Sequence, residues 1–349
     1  MPMRYSLAGT LTLTWPEVAD AARTAERLGF DAFYATDHLM GVAGFAPELG
    51  VLDALSLALA LGPVTERIRL GCMVSPVTMR HPVMLARALQ TLDVITGGRA
   101  EIGLGAAWNA EEHEAFGFGF PPPGERLAML EAATRTVFAL WNAEEPVSLD
   151  GRYPLRGASL LPRPVQRPAP ILIGGGSVKA VDIAARWATR WNGTGDRAVM
   201  AERIVRLRSL EARYGREGQV EVGVMLSLSA GAADPAVLAG LAEIGVQRVV
   251  LSTPRPWHPD KLAALAAAVG LCALHRRVQA FGLVAGLVEV PVALGDGSGL
   301  GLFAEPARDR QARAGADDGD DGHSGRPPPS LVLIRCQATG GSGVRSIVI

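Results

Sequence analysis

Asp37 and His38 stand side by side in FDAFYATDHLM, directly after an apolar and aromatic run that starts at Phe30. An imidazole titrates near neutral pH, so it can give or take a proton, and a neighbouring carboxylate can fix its tautomer. Successive strand residues point to opposite faces, so these two side chains meet only if the strand has ended by Asp37. A second candidate is IGGGSVKAVDIAARWA, in which an apolar strand runs into Gly174, Gly175 and Gly176 and then straight into a helix. Glycines there let backbone N–H groups approach an anion at the helix N-terminus, and Ser177 and Lys179 add a hydroxyl and a charge. The loop is neither a GxGxxG in the dinucleotide position nor a GxxxxGK[ST], which disfavours nucleotide sites of those types.

Two further clusters carry less. AEEHEAF gathers Glu111, Glu112, His113 and Glu114 without the HExxH spacing that sets two histidines on one helix face, and it reads as a solvated helix start. In TMRHPVML, Pro82 suits a first helical turn and His81 the position before it, a structural role. Cys72, Cys272 and Cys336 are scattered without CxxC spacing, so neither a disulfide framework nor a metal site is expected.

The elements that must position these residues alternate. Apolar runs at 4–9, 30–37, 68–76, 100–106, 171–175, 188–193, 220–228 and 248–254 read as eight strands, most followed by a helical pattern. The first helix is well marked, with Thr14 and Glu17 in capping-box spacing, Pro16 in the first turn and Gly29 as its stop. The strands are continuous apolar runs, as in a parallel sheet covered on both faces. Eight βα units ending near Gly270 match a (β/α)8 TIM barrel, an α/β fold, better than a doubly wound open sheet, which needs fewer strands. The irregular stretch over about 143–170, a short hairpin followed by a Pro-rich run, reads as an insertion before strand five. The barrel domain is thus expected over 1–270. Residues 271–349 lose the βα rhythm and contain the acidic GADDGDDGHSGRPPPS; they read as a disordered extension, as from translation past a shifted frame, rather than a functional tail.

Barrel enzymes place their chemistry at the C-terminal strand ends. Asp37 and His38 then share one rim with CMVSPVTMRHP after strand three, GLGAAWNAEE after strand four, the GGGS loop after strand five and RWNGTGD after strand six. The bulk composition narrows the partners. With 34 basic and 35 acidic residues and a formal net charge of −1, there is no electrostatic case for nucleic acid or an anionic membrane. No window approaches the roughly 18 apolar residues of a membrane helix, and MPMRYSLAG lacks a signal-peptide core. A soluble, cytoplasmic protein is expected.

Taken together, LGFDAFYATDHL, the stretch from TERIRLGCMVSP to PGERLAMLEAA, LPRPVQRPAPILIGGGS and AARWATRWNG resemble the luciferase-like monooxygenase superfamily, and within it the deazaflavin (coenzyme F420)-dependent oxidoreductases. The resemblance spans about residues 3–270. It implies a barrel with an insertion, holding a flavin or deazaflavin ring in the mouth. It implies His38 as acid or base beside Asp37, and a non-proline cis peptide in Cys72-Met73-Val74-Ser75, between Met73 and Val74, backing the ring. The cofactor phosphate would lie at Gly174, Gly175, Gly176 and Ser177. Some sugar-phosphate dehydrogenases of the family carry a catalytic glutamate just after the GxG of strand four. Here Trp108 takes that place, with Asn109 next, which argues against the same substrate; Trp108 either lines the ring pocket or packs as a lid over the barrel.

The activity implied is hydride transfer between coenzyme F420 and a small organic substrate, with a cofactor-reducing enzyme as a partner. The alternatives are a reduced-FMN-dependent monooxygenase supplied by a partner reductase and, from another class, a non-catalytic flavin-binding paralogue. The apolar loop 40–54 suggests a lipophilic or aromatic substrate. The family also implies a homodimer formed through helices on the barrel exterior.

Overall fold

The computed structural model describes residues 3–41, 50–226, 234–253 and 256–271, together with the backbone of 333–336 and 345–348. The eight expected barrel strands are present, each shorter than its apolar run. They are β1 (Arg4–Ala8), β2 (Ala32–Ala35) and a third strand split into β3 (Arg69–Cys72) and β4 (Ser75–Pro76), then β5 (Ala100–Gly105). An inserted antiparallel hairpin, β6 (Val147–Leu149) and β7 (Leu155–Ala158), precedes β8 (Ile171–Gly174), β9 (Arg190–Gly193), β10 (Glu221–Leu226) and β11 (Arg248–Ser252). Every barrel pairing is parallel, and β1 pairs with both β2 and β11 while β3 and β4 pair with β5, so the sheet closes. Closure removes both sheet edges and brings all eight C-terminal strand ends to one rim.

Helices α1 (Trp15–Leu28), α2 (Ala54–Leu61), α3 (Pro82–Ile95), α4 (Ala110–Ala115), α5 (Pro123–Asn142), α6 (Val178–Trp187), α7 (Arg197–Arg213), α8 (Pro235–Glu243) and α9 (Pro259–Ala268) fill the connections. Helix α1 ends as its residues dictate. The Glu17 carboxylate accepts from the N–H and hydroxyl of Thr14, and Gly29 takes a left-handed φ of 88° while its N–H returns to Ala25 and Glu26. His81 caps α3, its Nδ1 accepting from Val83 N–H, with Pro82 in the first turn. The insertion is latched through Gln166, whose amide donates to Asp93 on α3 and to the Ala100 carbonyl on β5.

The two barrel faces differ more than the apolar runs suggest. Leu7, Phe33, Leu70, Ile102, Ile173 and Leu251 pack outward in the main core under the helices. The alternate positions carry glycine, alanine and charge. Near the N-terminal end of the barrel, Glu101 is fully buried and accepts from Tyr34 Oη at 2.5 Å and from Arg69 Nε at 2.5 Å, with Arg190 Nη1 at 3.1 Å. Arg248, 2% exposed, reaches Glu221, Asp31 and the Ser6 hydroxyl. Above this ionic layer, Ala8, Ala32, Tyr34, Met73, Leu172 and Val250 form a separate apolar plug beneath the mouth.

Val288–Ile349 forms a second unit, in which β12 (Leu333–Cys336) and β13 (Arg345–Val348) pair antiparallel. The expectation of a disordered tail over 271–349 otherwise falls outside the described residues.

Burial pushes the Glu101 carboxyl up, but Arg190, Arg248 and Arg69 outweigh it and hold the group at about 2, below the ordinary 4.5. A carboxylate depressed on folding stabilises the fold above its unfolded-state value, and that contribution is lost as pH falls from about 4.5 toward about 2. Glu101→Gln leaves the arginines without their counter-charge and is expected to cost about 3 kcal/mol or more at pH 7, measured by urea unfolding. The variant's deficit is expected to shrink on acidification through that window.

Candidate active site

The C-terminal strand ends and the loops above them enclose a cavity of about 540 Å³. Asp37, His38, Met73, Val74, Trp108 and Asn109 all line it, and so do Gly174, Gly175, Gly176 and Ser177 from the opposite side. Of the positions that the resemblance sets against the ring, Ser75 does not: it is fully buried behind the wall, and its Oγ has no hydrogen-bond partner. Most of the apolar loop 40–54, residues 42–49, lies outside the described residues.

His38 is held, but not by Asp37. Its Nδ1 lies 3.0 Å from Oε2 of Glu112, whose Oε1 accepts the backbone N–H of Leu39. Trp108 sets its ring edge-on to the imidazole, centroids 5.7 Å apart. Asp37 instead turns to Arg80, which clasps it with Nε at 2.6 Å and Nη2 at 2.7 Å and also reaches Asp53. Asp37 is therefore a buried anchor for the loop after β4, and the tautomer of His38 is set elsewhere.

Glu112 corrects the reading of AEEHEAF as a solvated helix start. Glu112 and His113 on α4 are buried, while Glu111 and Glu114 face solvent. His113 bonds Thr78 Oγ1 through Nε2 and the Asn109 carbonyl through Nδ1, both at 2.7 Å, and packs on Phe120. That fixes α4 against the loop after β4 and aims Glu112 at His38. Helical spacing alone does not separate Glu112 from its acidic neighbours; the burial of the His113 side of this one-and-a-half-turn helix is what selects it. Counting along Gly103-Leu104-Gly105 also places Ala106 directly after the GxG, with Trp108 two residues further. Alanine at that position supplies no carboxylate, and the acid reaches the site from α4 instead.

The cavity floor is made by omission. The peptide between Met73 and Val74 is cis, at the expected position, and the Val74 side chain lies where neighbouring strands carry no Cβ. A methyl on Gly105 would overlap Val74 Cγ2, and one on Gly174 would lie 3.0 Å from Val74 Cγ1. The walls are apolar at Pro123, Leu127 and Met225. The charged lining groups are already partnered: Asp37 by Arg80, Glu112 by His38, and Arg126 by the Ala106 and Pro121 carbonyls and the Phe120 ring. Lys179, expected to add a charge at the glycine loop, pairs with Glu131 at 2.6 Å outside the cavity. Among the described lining residues, Nε2 of His38 and the amide of Asn192 on β9 are left without a hydrogen-bond partner. Asn192 is 6% exposed and lines the cavity, and its Oδ1 has no partner. A concave, mostly apolar cavity with a few unsatisfied polar groups is the form of a small-molecule site.

Comparison with known proteins shows the family and the fold. Residues 3–278 match the family model described as luciferase-like monooxygenase. An uncharacterised protein of Mycobacterium tuberculosis is 33% identical over 273 residues, covering 73% of this chain and 94% of the relative. An F420-dependent glucose-6-phosphate dehydrogenase of Kineococcus radiotolerans is 33% identical over 222 residues, 61% of this chain and 64% of the relative. Among solved structures, an F420-dependent secondary alcohol dehydrogenase superimposes with a TM-score of 0.66 at 16% identity, covering 77% of this chain and 99% of its own. The EDTA monooxygenase of Chelativorans sp. BNC1 gives 0.63 at 16%, covering 81% and 95%. The chain belongs to the luciferase-like monooxygenase family.

A carboxylate accepting from Nδ1–H leaves Nε2 of the neutral imidazole as the lone-pair nitrogen. Nitrogen NMR of labelled histidine is expected to show His38 mainly as the Nδ1–H tautomer when neutral, and Glu112→Ala to give a mixture. The same spectrum in both proteins would mean that Glu112 does not set the tautomer.

Proposed function

We propose that this member of the luciferase-like monooxygenase family is an oxidoreductase that transfers a hydride between coenzyme F420 and a small, largely apolar organic substrate. The observation that carries this reading is the cavity itself: a mostly apolar mouth with a free imidazole nitrogen, a free amide and a glycine loop, and no uncommitted charge among its described lining residues. The residues present fit a deazaflavin. Val74 between Gly105 and Gly174 offers an apolar surface for a ring. Asn192 offers a donor and an acceptor to a polar ring edge. Gly174 to Ser177 precede α6, where N–H groups and the helix N-terminus favour a phosphate.

The bound cofactor supplies or accepts a hydride at its central ring carbon. His38 handles the accompanying proton. With Nδ1 engaged by Glu112, Nε2 takes the proton from the substrate's polar atom in one direction and returns it in the other, and Glu112 stabilises the imidazolium between. Trp108, 66% exposed beside His38, offers the substrate an aromatic face. The relatives named for F420-dependent dehydrogenation support the cofactor. Substrate identity does not transfer from them, because the position directly after the GxG is Ala106.

Fluorescence titration with oxidised F420 and with FMN tests the assignment. Micromolar or tighter binding of the deazaflavin, with FMN weaker, is expected. His38→Ala should keep cofactor affinity within a few fold while turnover falls by about 10²–10⁴. Preference for FMN would move the protein to the reduced-flavin monooxygenases and imply a partner reductase. Tight binding of either cofactor, with no turnover of any substrate by its reduced form, would mark a non-catalytic binding protein.

A further inference from the structure

A second cleft, of about 530 Å³, lies on the far side of the glycine loop. Gly176 and Ser177 line both it and the barrel mouth. Its other walls are Val178 and Val181 of α6 and Glu202, Arg203 and Arg206 of α7. The partition between the two spaces is thin. A methyl on Gly176 would overlap the Arg203 guanidinium and lie 2.8 Å from Thr194 Oγ1, so backbone, guanidinium and hydroxyl converge at one point. Thr194 itself lines the mouth, and its carbonyl accepts from Arg203 Nη1.

Arg203 and Arg206 sit three residues apart on one helix face, where like charges repel. Elsewhere on α7, Arg197 pairs with Glu243 and Arg208 with Glu211. Among the described residues Arg203 and Arg206 have no such carboxylate partner, although Glu202 lines the same cleft. Two guanidinium groups without carboxylate partners, lining a space that borders the glycine loop, suit an anionic ligand that continues past that loop.

We propose that this cleft binds the polyanionic side chain of the molecule whose ring occupies the mouth, the chain crossing Gly176 and laying its carboxylates between Arg203 and Arg206. The inference rests on the deazaflavin reading above. FMN ends at its phosphate and would leave the cleft unused, whereas a deazaflavin carrying a phosphodiester and several glutamates would fill it. The cleft thus becomes a basis for choosing between the two cofactors.

The test compares three oxidised deazaflavins on the full chain: one without phosphate, one with the phosphodiester alone and one with several glutamates. The glutamylated form is expected to bind about tenfold tighter than the phosphodiester form at low salt, with the advantage fading by about 0.5 M salt as charges are screened. Arg206 is exposed, so Arg206→Gln should fold normally, remove most of the glutamate advantage and leave the phosphate-free form unchanged. Gly176→Ala, which displaces the Arg203 guanidinium, should weaken both phosphate-bearing forms. Equal affinity for short and long side chains in the unaltered protein would overturn the proposal while leaving the ring assignment intact. So would a glutamate advantage that survives Arg206→Gln and Arg203→Gln together. Free oligoglutamate binding as tightly as the glutamylated deazaflavin would reassign the cleft to a separate anion and overturn it as well. Failure of all three deazaflavins to bind would defeat the ring assignment itself, and the side-chain proposal with it.

Discussion

A carboxylate with no access to water must be surrounded by positive charge, and Glu101 meets that demand inside a closed barrel. Its partners come from β2, β3 and β9, and Arg248 extends the network to β1 and β10. A one-residue slip of β3, β5, β9, β10 or β11 would turn its charged residue out toward the helices and leave an unpaired charge behind. The ionic layer therefore fixes strand register around most of the circumference. Register in turn decides which residues emerge at the rim, so the geometry of the mouth depends on a cluster at the other end of the barrel.

Above that layer the interior gives up volume. Gly105 and Gly174 line the cavity at strand positions where a Cβ would press on Val74. Their absence of side chains opens room for a flat molecule without loosening the outward core, where Phe33, Leu70 and Ile102 remain fully buried. Charge is then excluded from the opening by pairing it off. Asp37 is spent on Arg80, Lys179 on Glu131 and Arg126 on carbonyls, while His38 is oriented by Glu112. Arg203 and Arg206, without a carboxylate partner among the described residues, lie just beyond the glycine loop, where the proposed anionic extension of the ring would pass.

Much of this was legible in the sequence because it is local. The capping of α1, the βα rhythm, the inserted hairpin and the rim positions of Asp37, His38 and Gly174 to Ser177 all follow from short-range rules. The pairings were not. Asp37 and Arg80 are 43 residues apart, and His38 and Glu112 are 74 apart, so adjacency suggested a partner for His38 that the fold does not use. The inward face was hidden for another reason. Arg190-x-Asn192, Glu221-x-Gly223 and Arg248-x-Val250 alternate cleanly, but the outward residues between them make each strand read as one apolar run.

The most direct measurement is a crystal structure of the protein grown with oxidised coenzyme F420. The ring should lie in the barrel mouth against Val74, with its polar edge at the Asn192 amide and its central carbon on the side open to His38 Nε2. Density for the ring outside the mouth, or a mouth that admits FMN and leaves the deazaflavin in solution, would contradict the account.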